Sequence, residues 1–160
     1  MKKQLPFSLL AVISMMLLSI SCKKEEADPA PANNSSCNYT TDVVAVDGTI
    51  KNVVSDSCRV FGTNYYTEHF ADAGKTEAVT IIFDGTSLPA AGDYTAVNTF
   101  PAVGPGKVYV EYYTNTSAYQ PASGTVSVAV SGTTRIYTFC NLSCTDGTTT
   151  KSVSLRSTCN

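Results

Sequence analysis

The side chains in this sequence that could carry chemistry are few: six cysteines, one histidine, thirteen acids and nine tyrosines. His69 is the single histidine, which excludes multi-histidine metal sites and leaves Glu68, Asp72 or a cysteine as its candidate partners. Set in a strand beside Phe70, it is expected to be structural. A Cys–His nucleophile pair is disfavoured, because nothing around Cys140 or Cys144 has the form of an activated elbow or a helix N-terminus. Carboxylates for glycoside hydrolysis could be drawn from Glu68, Glu77, Asp93 and Glu111, yet scattered acids are the ordinary solvating surface of a β domain, and their spacing adds nothing. Gly104-Pro105-Gly106 lacks the strand, helix and lysine of a phosphate-cradling loop. The chain therefore reads as non-enzymatic, with no cofactor and no metal.

The cysteines point to an oxidising compartment. A zinc site from Cys140, Cys144 and Cys159 is possible by count, but a lone CxxxC is a weak signal and disulfides are the stronger reading. Asp47-Gly48 predicts a two-residue hairpin turn with Val46 facing Thr49. Continued outward, that register sets Cys37 opposite Cys58 at a non-hydrogen-bonded position, about 4.5 Å apart at Cα, within bridging range. A Cys37–Cys58 disulfide is expected on that ground, and a bulge or longer loop would remove it. The same count about Asp146-Gly147 puts Cys140 opposite Val153 and Cys159 opposite Thr134, so the pairing of Cys140, Cys144 and Cys159 stays open. If Cys22 is consumed elsewhere, five cysteines remain and at least one thiol is left over.

A binding function has somewhat more to draw on. In Lys107 to Tyr113, Val108, Val110 and Tyr112 share one strand face, and Tyr109, Glu111 and Tyr113 share the other. Outward tyrosines can stack on a sugar or on a protein partner, although cross-strand aromatic pairs also serve a sheet on their own account. The chain has no tryptophan, which weakens a carbohydrate platform. In the Pro/Gly-marked segment VNTFPAVGPG, Phe100 has no strand to bury it. It is expected to plug one end of the domain, with a recognition loop as the alternative.

These groups sit on strands. From Cys37 onward Thr, Val, Ser, Tyr and Gly dominate and no long stretch carries apolar residues at helical spacing, so the domain is all-β. Alternation is cleanest in Thr125–Ser131, where the valines share a face, and in Val79–Phe83. Further strands are predicted at 39–46, 49–54, 59–70 with a break near Gly62-Thr63-Asn64, 94–97, 107–114, 134–142 and 151–157, eight to ten in all. Turn signals at Asp47-Gly48, Asp84-Gly85, Gly92-Asp93, Ser131-Gly132 and Asp146-Gly147 separate them. Short strands at this spacing predict an antiparallel sandwich, with a small closed barrel as the alternative.

Ahead of the domain, Met1-Lys2-Lys3 and the apolar run from Leu9 to Ile20 read as a secretory signal peptide, residues 1–21, too short for a bilayer span before the charges at Lys23 to Glu26. Leu18, Ile20 and Ser21 before Cys22 resemble the lipobox of bacterial lipoproteins, although the position three before the cysteine holds Ser19 where leucine is usual. The resemblance implies that Cys22 is diacylated and becomes the mature N-terminus, tethering the protein to a membrane without spanning it. Lys23-Lys24-Glu25-Glu26 is similar to a surface-export tag of Gram-negative lipoproteins, which implies an outer-membrane location facing the exterior. Residues 27–36, rich in Pro, Ala, Asn and Ser, extend a flexible tether over 22–36. The all-β domain then occupies 37–160. A formal net charge of -2 with scattered signs disfavours nucleic acid and anionic membrane surfaces as partners.

With the lipobox and acidic tag, the order Val46-Asp47-Gly48-Thr49, Phe83-Asp84-Gly85, Leu88-Pro89-Ala90-Ala91-Gly92-Asp93-Tyr94-Thr95 and Ser123-Gly124-Thr125-Val126-Ser127-Val128 resembles a family of small bacterial surface lipoproteins that carries no assigned activity. The expectation is a lipid-anchored envelope protein whose β domain is non-catalytic and binds a glycan or an extracellular protein. The alternative is a calycin-like ligand-holding barrel or small hydrolase, marked by Glu68, His69 and Glu111 clustered in an interior pocket.

Overall fold

A computed structural model of the chain describes residues 37–101 and 104–160. The expected signal peptide, the lipidation site Cys22, the export tag Lys23, Lys24, Glu25 and Glu26, and the tether lie outside the described residues. The described chain is all-β. Eleven strands form one mixed sheet: β1 (Val43–Val46), β2 (Thr49–Asn52), β3 (Ser55–Phe61), β4 (Asn64–Phe70), β5 (Glu77–Asp84), β6 (Gly92–Val97), β7 (Lys107–Thr114), β8 (Ala118–Pro121), β9 (Thr125–Ser131), β10 (Thr134–Thr145) and β11 (Thr150–Cys159). Their order is β2-β1-β11-β10-β9-β6-β7-β5-β4-β3, and β8 pairs with both β10 and β7. The hydrogen-bonded ladder therefore closes on itself through β6, β7, β8, β10 and β9. The flanks beyond that ring face one another across the core.

The facing flanks are joined by specific contacts. Ser157 on β11 meets His69 on β4 at 2.7 Å. The Phe83 and His69 rings lie 5.8 and 6.0 Å from that of Tyr137. Lys51 on β2 pairs with Glu77 on β5. The core that results is one cluster drawn from both flanks and the ring, including Val44, Val79, Ile81, Val110, Val126, Phe139, Val153 and Leu155. Each is supplied by the inward parity of its strand, and full burial of each such side chain stabilises by about 1.5–3 kcal/mol.

Three expectations are corrected. The sheet is not wholly antiparallel: β6 and β7 run parallel, with Thr95 opposite Lys107, because the segment between them crosses back before β7 begins. β8 had no predicted strand, since four residues ending in a proline after Asn115-Thr116-Ser117 give too little alternation to read.

The third concerns the cysteines. The Asp47-Gly48 turn forms with positive φ at both residues, 51° and 81°, and Val46 does face Thr49. The ladder nevertheless ends at Val43↔Asn52, and after Val53-Val54 the chain leaves to pair β3 with β4 on the other flank. The predicted Cys37–Cys58 bridge is therefore not made. Cys37 instead lies at disulfide distance from Cys140, and Cys58 from Cys159, with Cα separations of 5.7 and 6.0 Å. Near the C-terminus the turn is longer than two residues: Thr145 faces Thr150, and a bulge between Phe139 and Leu142 shifts the register again. Cys159 thus lies opposite Arg135 and not Thr134, and Cys140 falls in the bulge, unpaired by any strand neighbour. Cys144 is buried and free.

Candidate binding face

Strands β3, β4, β5 and β7 turn one face to the core and the other outward, and the outward face gathers most of the chemistry. Registers align Tyr66, Ile82 and Tyr109 in one row across β4, β5 and β7, and Glu68, Thr80 and Glu111 in the next. Ile82 and Tyr109, with Tyr66 and Val97, form a second apolar cluster separate from the main core. Arg59 and Phe61 extend the aromatic row onto β3: the guanidinium carbon is 5.6 Å from the centre of the Tyr66 ring, and the Phe61 and Tyr66 rings are 6.3 Å apart. At the opposite end Phe100 meets the Tyr109 ring edge-on at 5.5 Å.

The polar row is wired to the tyrosines. Tyr109 donates to Glu111 at 2.9 Å, and Gln120 on β8 donates both to the Tyr109 hydroxyl and to Glu111 at 3.0 and 3.1 Å. Tyr113 donates to Glu68 at 2.5 Å. Burial pushes the Tyr109 hydroxyl up to about 12, and its bond to Glu111 adds to the effect. The hydroxyls of Tyr113 and Tyr66 are raised as well, first by burial and then by Glu68. These phenols stay protonated donors at any physiological pH and hold the two carboxylates as fixed, half-buried acceptors.

The sequence-predicted residues meet this geometry unevenly. Tyr109 and Tyr113 do share the face opposite Val108, Val110 and Tyr112, but Tyr109 is 7% exposed, so its ring is a floor under Phe100. Phe100 is 53% exposed and does not plug the end of the domain; the end-plug expectation is overturned, because its ring lies against Tyr109 on the outer face of β7. Phe61, at 66% the most exposed large apolar side chain among the described residues, was missed, as were Arg59, Tyr66 and Gln120. The alternation Arg59-Val60-Phe61 set against Tyr65-Tyr66 carries the signal for three of them, once the two strands are known to pair.

Glu68, His69 and Glu111 do not cluster. Glu68 and Glu111 lie on the outer face with β5 between them, about 10 Å apart at Cα by ordinary strand spacing. His69 points into the core and is 0% exposed. Its Nε2 lies 3.2 Å from Thr67 Oγ1, whose proton goes to the Ile81 carbonyl, and its Nδ1 lies 2.7 Å from Ser157 Oγ. Thr67 can therefore only accept, which places the ring proton on Nε2 and makes Nδ1 the acceptor for Ser157. Desolvation lowers its pKa to about 4, opposed by Asp42. The ring is a neutral strut between flanks.

Among the described residues no group of three or more His, Cys, Asp or Glu is placed to hold a metal ion, and Cys140 and Cys159 of the weighed zinc set are each committed to another cysteine. The Cys144 thiol is pushed up to about 12 by burial and is inert as a nucleophile. A separate open cleft of about 470 Å³ lies among Phe83, Asp84, Leu88, Tyr94, Pro105 and Lys107, at the end of the strands. Two of its polar side chains are engaged within the protein: Asp84 accepts the Gly104 amide and Tyr94 donates to the Ala90 carbonyl.

Compared with protein-family models, with curated proteins and with solved structures, the chain finds no match.

Proposed function

We propose that the chain is a lipid-anchored envelope protein of the outer membrane, facing the cell exterior, whose β domain is non-catalytic and binds an extracellular glycan or protein. The observation that carries the binding reading is the outer face of β3, β4, β5 and β7. There two exposed aromatic rings, Phe61 and Phe100, lie against Tyr66 and Tyr109, and Tyr109 and Tyr113 donate to the two carboxylates Glu111 and Glu68. The anchor reading rests on Leu18 to Cys22 and the following Lys23-Lys24-Glu25-Glu26, and with it the membership of a small surface-lipoprotein family. Among the described residues no helix is long and apolar enough to cross a membrane. The non-catalytic reading is supported by the separation of Glu68 and Glu111 from His69 onto opposite faces of the sheet.

A ligand-holding barrel is the second reading, favoured by the strand ring closed through β8 and by the cleft at Phe83 and Tyr94. It is weakened by the packing of Val110, Val126, Val128 and Phe139 inside that ring.

The test is acyl labelling and protease shaving of intact cells. The native chain should incorporate labelled palmitate and be shaved from outside, Cys22→Ser should lose the label, and replacing Lys24, Glu25 and Glu26 by Ala should leave a labelled chain that shaving no longer reaches. A native chain without label, or equal shaving of the tag variant, refutes the anchor or the tag respectively.

A further inference from the structure

We propose that the outer face of β3, β4, β5 and β7 is a platform for a neutral glycan chain laid across the strands; this rests on the surface-binding reading above and names the ligand class for it. The exposed rings of Phe61 and Phe100 flank a row about three strand spacings wide, roughly 14 Å, floored by Tyr66, Ile82 and Tyr109. Each exposed ring is braced by a tyrosine beneath or beside it, at 6.3 and 5.5 Å, so its orientation is set before a ligand arrives. A sugar ring offers such an aromatic face its apolar C–H surface, and the flat, shallow shape of a sheet suits an extended chain. These phenylalanines supply the stacking surface that the absent tryptophan would otherwise provide.

The adjacent row supplies what the sugar hydroxyls need. Glu68 and Glu111 are acceptors held in place by Tyr113 and Tyr109, and Gln120 contributes an amide between β7 and the ring. Fixed acceptors alongside a stacking row are the combination that orients a polyhydroxylated ligand.

Charge separates the ligand classes. The face carries Glu68, Asp84 and Glu111 against Arg59 and Lys107, and Arg59 is laid on the Tyr66 ring. Acids exceed bases by one, so a polyanion is repelled; the excess is a single charge, and Glu68 and Glu111 already accept hydrogen bonds from Tyr113, Tyr109 and Gln120, so the face has no acidic cluster to hold a polycation, and an uncharged chain suits it.

The full chain in mild detergent is titrated calorimetrically with soluble dextran, mannan, laminarin and xylan. The expected result is binding to at least one of them. The same titration should weaken about tenfold or more in Phe61→Ala and in Phe100→Ala, the loss that follows from removing an aromatic stacking contact. Ile50→Ala, which removes an equally exposed apolar side chain from β2, should leave it unchanged. Affinity should vary less than about twofold between roughly 50 and 500 mM salt, since no net charge is neutralised. Both phenylalanines are exposed, so thermal melts of these variants should match the native chain. Failure to bind any of the glycans, binding unaffected by either Phe variant, or binding that collapses with salt overturns the assignment. A photo-crosslinker at position 100 on intact cells separates this failure from that of the broader reading. Capture of a protein with no glycan binding overturns the glycan while sparing surface binding, and silence in both experiments overturns both.

Discussion

Acidification should weaken the fold through His69 before it touches the carboxylates. The ring is fully buried between Thr67 and Ser157, and its pKa is about 4 in the folded protein against 6.5 when free. Between those values the unfolded chain binds a proton that the folded chain refuses. The stabilisation from keeping the ring neutral is thus complete above about pH 6.5 and is lost as pH falls toward 4. Linkage puts the loss at about 2 kcal/mol by pH 5 and about 3 kcal/mol by pH 4. At about 4 °C per kcal/mol for a domain of this size, the melting temperature should drop by about 8 °C between pH 7 and pH 5. Asp47, Asp72 and Asp146 are shifted downward from 3.8 by hydrogen bonds, from Lys151, Thr76 and the Thr149 amide first respectively, so their stabilisation is lost below that window. Urea unfolding at pH 7 and pH 5, on the native chain and on His69→Gln, measures the effect. The glutamine variant starts lower, because it loses the fitted ring, but should lack the two-unit pH step. Equal losses in the two proteins, or a flat native profile, would refute a neutral buried ring.

Other outcomes follow from the packing. Non-reducing peptide mapping should find Cys37 with Cys140 and Cys58 with Cys159, with Cys144 alkylated only after denaturation; a Cys37–Cys58 peptide would overturn the tertiary arrangement. Replacing Cys58 and Cys159 together by Ser should cost about 3 kcal/mol, seen as a lower urea midpoint. Gly124→Ala should cost about 3 kcal/mol by the same assay. Its φ of 149° is reserved for glycine, and a Cβ there would run into the buried Leu142 side chain, so an unaffected midpoint would refute the close approach.

Alternation made most of the strands legible. Val126 and Val128, Val79 and Ile81, and the split of Lys107–Thr114 into an inner Val108-Val110-Tyr112 and an outer Tyr109-Glu111-Tyr113 face all appear in the structure as the period of two requires. Turn chemistry was legible where glycine set a two-residue loop, as at Asp47-Gly48. It was less so at Asp146-Gly147, where Asp146 instead accepts the amides of Thr148 and Thr149 and widens the loop. Half of the candidate face was visible as well. Tyr109, Tyr113 and Phe100 could be named from β7 and its loop, but Phe61, Arg59 and Tyr66 had no visible link to them until β3 and β4 were set beside β5.

Taken alone, the amino-acid order determined that the domain is all-β and which residues of each strand share a face. These depend on local periodicity and composition, which act within a few residues. The tertiary structure decided how far each ladder runs, and from that which cysteines meet. β1 and β2 stop pairing after four residues, so Cys58 travels with β3 to the opposite flank and reaches Cys159, while a bulge in β10 turns Cys140 toward Cys37. It also decided that His69 lies inside while Glu68 lies outside. Strand parity requires that the two be on opposite faces, but which face is covered depends on residues nearly ninety positions away on β11, and no local pattern contains them.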